Sequence, residues 1–224
     1  MQRMKFVYRS CWHFLRVAFA IYFRWRIVRE DRIPMEGPVI LASNHASFLD
    51  PPLIGSSVPR EACFLARESL FTIPLLGSLI RVINAVPVDR DGKSPRGLKA
   101  ILDRLKDGRP VVLFPEGTRT DDGLLLPARS GVGLAVVKSG APVVPIRIFG
   151  SFEAYSRKMQ FPRPSRITVV YGEPIDFSSD IARAKAEGKE ALKELYPKVA
   201  ETIMSHIAAL RIDGSSSPDS DSAR

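Results

Sequence analysis

The feature that most constrains the fold of this chain is the alternation of short β-branched runs with segments of helical periodicity. Strands are predicted at Val39–Ala42, Ala62–Leu65, Ile83–Val88, Val111–Phe114, Val143–Ile148 and Ile167–Tyr171. Helices are predicted at Ser94–Lys106 and Gly131–Ser139, and residues 180–211 form one or two more, interrupted by Gly188 and Pro197. This alternation is typical of a central, mostly parallel sheet flanked by helices. A chain of 224 residues is long enough for a single α/β domain of this kind.

The N-terminal segment has its own character, because residues 1–29 hold seven basic residues, both tryptophans and no acid. Steps of three and four place one set of positions on a single helical face. That basic face carries Lys5, Arg9, His13, Arg16, Ala20 and Arg24, and the far side carries Val7, Cys11, Phe14, Ala18, Ile21 and Trp25. A basic, aromatic-rich amphipathic helix is typical of a segment lying in a bilayer interface. The alternative is a helix that packs on the domain and exposes its basic side.

Neither a membrane-spanning helix nor a cleaved signal peptide fits this segment. The apolar stretch Phe14–Phe23 is shorter than the ~20 residues that a span needs, and Arg16 lies inside it. No small-residue cleavage site follows it. We therefore predict an amphipathic membrane-interface helix over residues 1–31, the folded domain over 32–212, and a disordered Ser- and Asp-rich tail over 213–224.

The overall charge restricts the class of partner. The net charge is +9 and the sequence pI is about 9.8, which favours anionic partners such as nucleic acid, a phospholipid surface or a phosphorylated substrate. Nucleic-acid binding is disfavoured, because the N-terminal charge is interleaved with aromatic residues and no recognition module is visible. Cys11 and Cys63 show no metal-ligand spacing, so reduced cytosolic thiols are expected and no metal site is predicted.

A histidine and an aspartate five positions apart follow the first predicted strand. On a regular helix, His45 and Asp50 would point about 140° apart, so they can meet only if the chain turns between them. Pro51 and Pro52 suit the first turn of a helix, which makes Asp50 a plausible N-cap. A carboxylate on one ring nitrogen orients the imidazole, and the other nitrogen can take a proton from a hydroxyl. A histidine and an aspartate at this spacing also occur by chance as surface or core residues.

A second group of polar residues follows the strand Val111–Phe114, in the stretch Phe114–Thr120. Gly117 allows close approach of the backbone to a ligand, and Thr118 offers both an N–H and a hydroxyl group. Arg119 offers a planar fork that suits a phosphate. An ordinary turn with a surface arginine is the alternative interpretation.

Two further arginines lie at the ends of predicted elements. Arg90 follows a strand, and Arg129 precedes a short helix. We predict that Arg90, Arg119 and Arg129 converge on one side of the sheet and bind a phosphomonoester, although each of them alone would be interpreted as a solvated surface residue.

Four ordered blocks of the chain resemble the glycerolipid acyltransferases, and among them the bacterial 1-acyl-sn-glycerol-3-phosphate acyltransferases. The blocks are Asn44-His45-x4-Asp50, Val86–Arg90, Phe114–Arg119 and Val144–Ile146. The resemblance covers roughly residues 35–175, and its first and third blocks are the specific ones. Arg67 and Arg129 stand where the family usually has lysine, which keeps the charge.

The resemblance implies a role for each matching residue. His45 would be the general base and Asp50 would orient it, while Arg90 and Arg119 would hold the phosphate of the acceptor. The predicted substrate-binding set is Asn44, Arg90, Glu116, Gly117, Thr118, Arg119 and Arg129, with Glu116 and Gly117 shaping the acceptor site. The alternative role for Asn44 is to position the loop. The acyl group would come from a thioester of coenzyme A or acyl carrier protein, and the product with lysophosphatidate as acceptor would be phosphatidic acid. No metal or redox cofactor is expected.

The absence of two catalytic motifs agrees with direct transfer of the acyl group from the thioester to the acceptor, without a covalent acyl-enzyme. The chain has no G-x-S-x-G elbow for a serine acyl-enzyme and no P-loop for a nucleotide. The same chemistry would suit glycerol 3-phosphate, a lysophospholipid or a lyso-aminolipid, and a non-catalytic peripheral membrane protein is the alternative class. We expect the protein at the cytoplasmic face of the inner membrane, attached peripherally.

Overall fold

The computed structural model of the protein describes residues 6–88 and 95–213. Its centre is a seven-stranded sheet in the order β1-β7-β6-β2-β5-β3-β4. The strands are β1 Arg26–Val28, β2 Val39–Ser43, β3 Cys63–Arg67, β4 Ala85–Val88, β5 Pro110–Leu113, β6 Val143–Phe149 and β7 Thr168–Tyr171. The α-helices are α1 Phe6–Phe23, α2 Asp50–Ser57, α3 Leu76–Val82, α4 Pro95–Lys106, α5 Ser130–Ser139, α6 Ser151–Tyr155, α7 Ser178–Glu187 and α8 Lys189–Ala209. Short 3₁₀ helices lie at Glu30–Arg32 and Glu68–Thr72.

The sheet is parallel except for the pairing of β6 with β7. Strand β2 is central, and its Leu41 lies opposite Val112 of β5 on one side and Val144 of β6 on the other. All five residues of β2 are buried, as expected for a parallel strand with helices on both faces. The predicted fold class, a mostly parallel sheet flanked by helices, is confirmed.

Alternating side chains of β2 divide the core into two layers. Val39 and Leu41 face the layer that contains α1 and α2. Ile40 and Ala42 face the opposite layer, which contains α4, α5, α7 and α8. This alternation follows from the two-residue period of a strand. The carboxyl end of β2 therefore emerges between two helical layers. Open α/β sheets bind ligands at this end of their strands.

Two predicted boundaries are corrected by the structure. Residues Arg26–Val28 form a parallel edge strand against β7, so the folded domain includes part of the predicted 1–31 segment. A run of three residues is too short to show a strand period in the sequence, and only its pairing defines it. Pro197 lies within α8 and does not interrupt it, because that helix buries an apolar face next to the proline. Gly188 separates α7 from α8, as predicted. Residues 214–224 of the predicted tail lie outside the described residues.

Helix α1 packs on the domain through an aromatic face. Tyr8, Phe19 and Phe23 are buried. The indole N–H of Trp12 donates to the carbonyl oxygen of Val58 at 2.8 Å. The predicted N-terminal helix is therefore present, and part of it belongs to the core.

The charged side of α1 differs from the prediction at Arg16. Its guanidinium donates to the carbonyl oxygen of Ser56, lies 3.5 Å from a carboxylate oxygen of Glu30, and lies over the Trp12 ring at 4.5 Å. These contacts hold Arg16 against the domain, whereas the prediction placed it on the basic face of the helix.

The outer side of α1 is apolar. Five large side chains on this side are between 54% and 77% exposed, and they are Phe6, Val7, Phe14, Val17 and Ile21. Helical geometry places all five within an arc of about 100°. We call them the outer stripe of α1. Within the described part of the chain, no helix is both long and apolar enough to cross a bilayer.

Candidate active site

His45 and Asp50 are joined by a hydrogen bond at the end of β2. The distance from His45 Nδ1 to Asp50 Oδ2 is 2.9 Å. The same oxygen accepts the backbone N–H groups of Ala46 and Ser47, each at 2.7 Å, and these bonds close the turn between strand and helix. Asp50 is the first residue of α2 and Leu49 is its N-cap, so the expected N-cap position is off by one residue.

This geometry selects the tautomer of the neutral imidazole. Asp50 is fully buried and its Oδ2 accepts three N–H groups, so the proton of the ring lies on Nδ1 of His45. The His45 ring stacks on Phe114 at a centroid distance of 3.9 Å, which holds its plane. The His45 side chain is 18% exposed. In the neutral ring, Nε2 is then the nitrogen with the lone pair, which can accept a proton from a hydroxyl.

Glu116 holds the backbone of the histidine. Its Oε1 accepts the N–H of His45 at 2.9 Å, and its Oε2 accepts the N–H of Leu126 at 3.3 Å. On the other side, the N–H of Thr120 donates to the carbonyl oxygen of His45 at 3.0 Å. Glu116 is 2% exposed, and both of its oxygens are used within the protein. Through these contacts Glu116 positions the backbone of His45.

Asn44 ties the end of β2 to β6. Its Nδ2 donates to the carbonyl oxygen of Ile148 at 3.1 Å, and its Oδ1 accepts the Ile148 N–H at 2.8 Å. Asn44 is buried, and both ends of its amide are satisfied by one residue. These bonds support the second of the two roles considered for Asn44, in which it positions the loop that carries His45.

Gly117 and Arg129 are in close contact. Gly117 has a φ of +66°, which favours glycine, and a Cβ at this position would lie 2.7 Å from Cδ of Arg129. The backbone N–H of Arg129 donates to the carbonyl oxygen of Pro115 at 2.8 Å. The exposed side chain of Arg129 therefore crosses the loop at Gly117, and a larger residue would displace it.

Arg119 directly precedes Thr120, whose N–H binds the backbone of His45, and presents a buried donor. Its guanidinium lies 3.5 Å from the centroid of the Phe48 ring, and its Nη1 is buried without a hydrogen-bond partner among the described residues. Burial lowers the pKa of Arg119, and the positive charges of Arg157 and Arg67 lower it further. A cation in a positive field with a free donor is suited to an anionic ligand.

Arg67 and Arg157 complete this positive cluster, and neither was among the predicted site residues. Arg157 donates to the carbonyl oxygen of Arg119 at 2.8 Å and to the hydroxyl of Thr118 at 3.3 Å. It also lies 3.1 Å from a carboxylate oxygen of Asp121. The cationic residue at position 67 was visible as part of the family pattern, but Arg157 follows α6 and no motif marks it.

Arg90, the third arginine of the predicted trio, lies outside the described residues. Its role as a phosphate ligand stays a prediction.

The Acyltransferase family profile matches residues 24–149, which is more than half of the chain and includes both specific blocks. The chain belongs to the acyltransferase family. This membership confirms the resemblance predicted from the four blocks.

Relatives and a solved structure agree with the family assignment. The acyltransferase is 25% identical to the 1-acyl-sn-glycerol-3-phosphate acyltransferase of Bacillus subtilis over 170 residues, which cover 75% of this chain and 82% of that protein. It is 33% identical over 158 residues to a chloroplastic enzyme of the same name from Brassica napus, covering 66% of this chain and 45% of that one. The crystal structure of the 1-acyl-sn-glycerophosphate (LPA) acyltransferase PlsC from Thermotoga maritima superposes with a TM-score of 0.71 at 27% identity, covering 92% of this chain and 81% of that one. The chain thus spans most of both bacterial relatives and less than half of the plant one.

The buried carboxyl of Glu116 should make the stability of the acyltransferase depend on pH. Burial raises the pKa of Glu116 from its ordinary value of 4.5 to about 7, against the opposing hydrogen bonds from His45 and Leu126. Between these two pKa values the folded state keeps a proton that the unfolded state releases. The free energy of unfolding therefore falls as pH rises from ~4.5 to ~7. Between pH 5 and pH 8 the loss should be about 2–3 kcal/mol.

A Glu116→Gln variant removes this titration, so thermal unfolding of both proteins at pH 5 and pH 8 measures it. The melting temperature of the wild type minus that of the variant should fall by roughly 5–10 °C from pH 5 to pH 8. A difference that is the same at both pH values would contradict an elevated pKa of Glu116.

Proposed function

We propose that this acyltransferase moves a fatty acyl group from a thioester to the free hydroxyl of 1-acylglycerol 3-phosphate, giving phosphatidic acid. The observation that carries the proposal is the ring of His45, held by Asp50, in one site with Nη1 of Arg119, which is buried and has no hydrogen-bond partner among the described residues. A base and a phosphate-binding cation in one site match an acceptor that has both a hydroxyl and a phosphate. The printed names of the relatives support this choice of acceptor.

The base would act in both halves of the reaction. His45 Nε2 takes the proton of the acceptor hydroxyl as its oxygen attacks the thioester carbonyl carbon, and Asp50 stabilises the imidazolium that forms. When the tetrahedral intermediate collapses, the new C–O ester bond remains and the C–S bond breaks. The imidazolium then returns its proton to the leaving thiolate. All atoms and charges balance without a metal or redox cofactor. We continue to expect that this enzyme needs neither.

The phosphate of the acceptor would bind to the arginine cluster. Arg119 supplies a buried donor with no partner in the part of the chain that the structure describes, and Arg67 and Arg157 add positive charge around it. A guanidinium fork matches two phosphate oxygens, and the partial desolvation of Arg119 strengthens the attraction. Arg90 and Arg129 stay predicted contributors to the same site.

The lipid acceptor and the outer stripe of α1 suggest where the enzyme works. A bilayer would cover the five exposed apolar side chains of the outer stripe, and the net charge of +9 favours anionic phospholipid. We therefore propose peripheral attachment to the cytoplasmic face of the inner membrane, where acyl-coenzyme A and acyl carrier protein are found. Either of these thioesters fits as donor and co-substrate.

A thiol-release assay with a panel of acceptors tests the proposed function. The panel consists of lysophosphatidate, glycerol 3-phosphate, a lysophospholipid with a larger head group, a lyso-aminolipid and 1-acylglycerol without phosphate. Each acceptor is offered with acyl-coenzyme A and with acyl carrier protein as donor. We expect kcat/KM with lysophosphatidate to exceed that with the acceptors that have no phosphomonoester by at least about tenfold, because one lost charge-assisted hydrogen bond corresponds to that factor. Glycerol 3-phosphate keeps the phosphomonoester, and its rate should be lower because it has no acyl chain to bury.

A higher kcat/KM with another acceptor would show that this other lipid is the substrate, and lysophosphatidate would be excluded as the preferred acceptor. No thiol release with any acceptor would favour a non-catalytic membrane protein.

A further inference from the structure

The segment Arg157–Arg166, between α6 and β7, is basic and has an exposed aromatic residue near its middle. We call it the 157–166 loop. It contains Arg157, Lys158, Arg163 and Arg166 and no acidic residue. Phe161 is 76% exposed, more than any other aromatic side chain in the described part of the chain. A large exposed phenyl ring surrounded by cations is a feature that neither the core nor the catalytic site accounts for.

Hydrogen bonds hold the 157–166 loop in place. The N–H of Arg163 donates to the carbonyl oxygen of Ala154 at 2.8 Å, and the Tyr155 hydroxyl donates to the carbonyl oxygen of Gln160 at 3.3 Å. These bonds flank Phe161 on both sides. The exposure of its ring is therefore a property of the fold and not of a loose chain end.

The loop is joined to α1 at one end. The hydroxyl of Tyr22 donates to the carbonyl oxygen of Pro162 at 3.0 Å, and the N–H of Ile167 donates to the carbonyl oxygen of Phe23 at 3.1 Å. Ile21, the last residue of the outer stripe, directly precedes Tyr22 and is 77% exposed. The exposed apolar surface of α1 is therefore adjacent to the loop that carries Phe161.

The loop is joined to the active site at its other end. Arg157 donates to the carbonyl oxygen of Arg119 and to the hydroxyl of Thr118. Just before the loop, the ring of Tyr155 lies 5.4 Å from the ring of Phe48, which itself lies under the Arg119 guanidinium. The 157–166 loop thus bridges the outer stripe of α1 and the phosphate-binding cluster.

We propose that the 157–166 loop is a second membrane contact, in which Phe161 enters an anionic phospholipid surface while Lys158, Arg163 and Arg166 bind lipid phosphates. This inference rests on the proposed function, because it supplies an orientation for an enzyme whose acceptor is a lipid. With α1 and the loop both on the bilayer, the positive cluster would lie at the membrane surface, and a lipid acceptor would reach Arg119 without leaving the bilayer completely.

A bilayer fits these observations better than an acidic protein partner. Acyl carrier protein would pair with the cations of the loop, but it gives no account of the outer stripe of α1 beside it. A phospholipid surface takes up apolar side chains and binds cations at the same depth, so one partner explains both parts of the surface.

Vesicle partitioning of the full chain tests the proposal. The probes are vesicles of phosphatidylcholine alone and vesicles that also contain phosphatidylglycerol. Phe161→Asp should weaken partitioning by at least about tenfold on both, because it removes the insertion of an apolar ring. Phe161→Leu should retain most of the binding. Arg163→Glu should weaken binding by roughly tenfold on anionic vesicles only.

Control variants separate this proposal from the proposed function. Lys185→Glu makes the same change of charge on α7, in the layer opposite α1, and should leave partitioning unchanged. Phe14→Asp disrupts the outer stripe of α1 and should weaken partitioning. If Phe14→Asp weakens binding and Phe161→Asp does not, the loop proposal is overturned and the membrane helix stands.

Activity gives a second readout of the same variants. Phe161→Asp should lower transfer to lysophosphatidate in vesicles and leave transfer to a short-chain, water-soluble analogue near the wild-type rate. If Arg163→Glu weakens use of acyl carrier protein while vesicle partitioning is unchanged, the loop binds the carrier protein and the membrane proposal is wrong. Absence of turnover with every acceptor would count against the proposed function and leave the partitioning result to be judged on its own.

Discussion

Replacing His45 with alanine is expected to lower kcat for acyl transfer by about 10²–10⁴-fold, because the variant has no base to take the hydroxyl proton and no acid to protonate the thiolate. The fold should survive. Asp50 would keep its two backbone donors, Ala46 and Ser47, after the loss of the imidazole. KM for lysophosphatidate should change little, since the phosphate-binding cluster is untouched. Single-substrate kinetics in the thiol-release assay measure both quantities.

His206 offers a matched control for this experiment. It is an exposed histidine on α8, and its ring bonds only to the Thr202 carbonyl oxygen among the described residues. His206→Ala should therefore keep full activity. A loss of less than tenfold in His45→Ala would show that the imidazole is not the general base, and an equal loss in His206→Ala would point to an effect of folding.

Replacing Arg119 with alanine should give the second largest effect, a fall of about 10²–10³-fold in kcat/KM with lysophosphatidate. The variant removes the buried guanidinium donor that has no partner within the described protein, and buried charge pairs of this kind contribute roughly 3–4 kcal/mol. The effect should lie mainly in KM. Arg119→Lys should recover part of it, because lysine restores the charge but not the planar fork.

The comparison with 1-acylglycerol, which has no phosphate, separates binding from structure. If Arg119 binds the phosphate, Arg119→Ala should change activity with 1-acylglycerol by less than about threefold, so the preference for the phosphorylated acceptor should largely disappear. Arg183→Ala on α7 removes an exposed arginine paired with Asp180 and should change neither acceptor. An equal loss with both acceptors would mean that Arg119 supports the loop and does not bind phosphate.

Much of the fold could be predicted because its signals are local. The strands β2 and β6 are buried β-branched runs, and the apolar positions of α4 and α5 repeat at helical spacing. Strand β1 has only three residues, and hydrogen bonds to β7 define it, so no periodicity was available to predict it. The apolar residues of α1 have two separate faces, one packed and one exposed. Periodicity alone cannot say which face meets the domain.

The candidate site also has some features that follow from local sequence and others that depend on distant contacts. The His45–Asp50 spacing and the block Phe114–Arg119 are short patterns, and the structure brings the histidine and the aspartate within 2.9 Å. Glu116 and Asn44 were identified from the same blocks, but their hydrogen-bond partners could not be predicted, because Leu126 and Ile148 are distant in sequence. A motif shows which residue types are present, and it does not show where their hydrogen bonds go.

By itself, the sequence determined the α/β class, the family and the histidine and aspartate of the site, because each of these depends on residue types within a few positions of one another. Only the tertiary structure decided which arginines surround Arg119. Arg67 and Arg157 lie 52 and 38 residues from Arg119, and the sheet and the loop after α6 bring their charges close enough to lower its pKa. The physical reason is that electrostatic and hydrogen-bond interactions depend on distance in space, and separation along the chain does not reveal that distance.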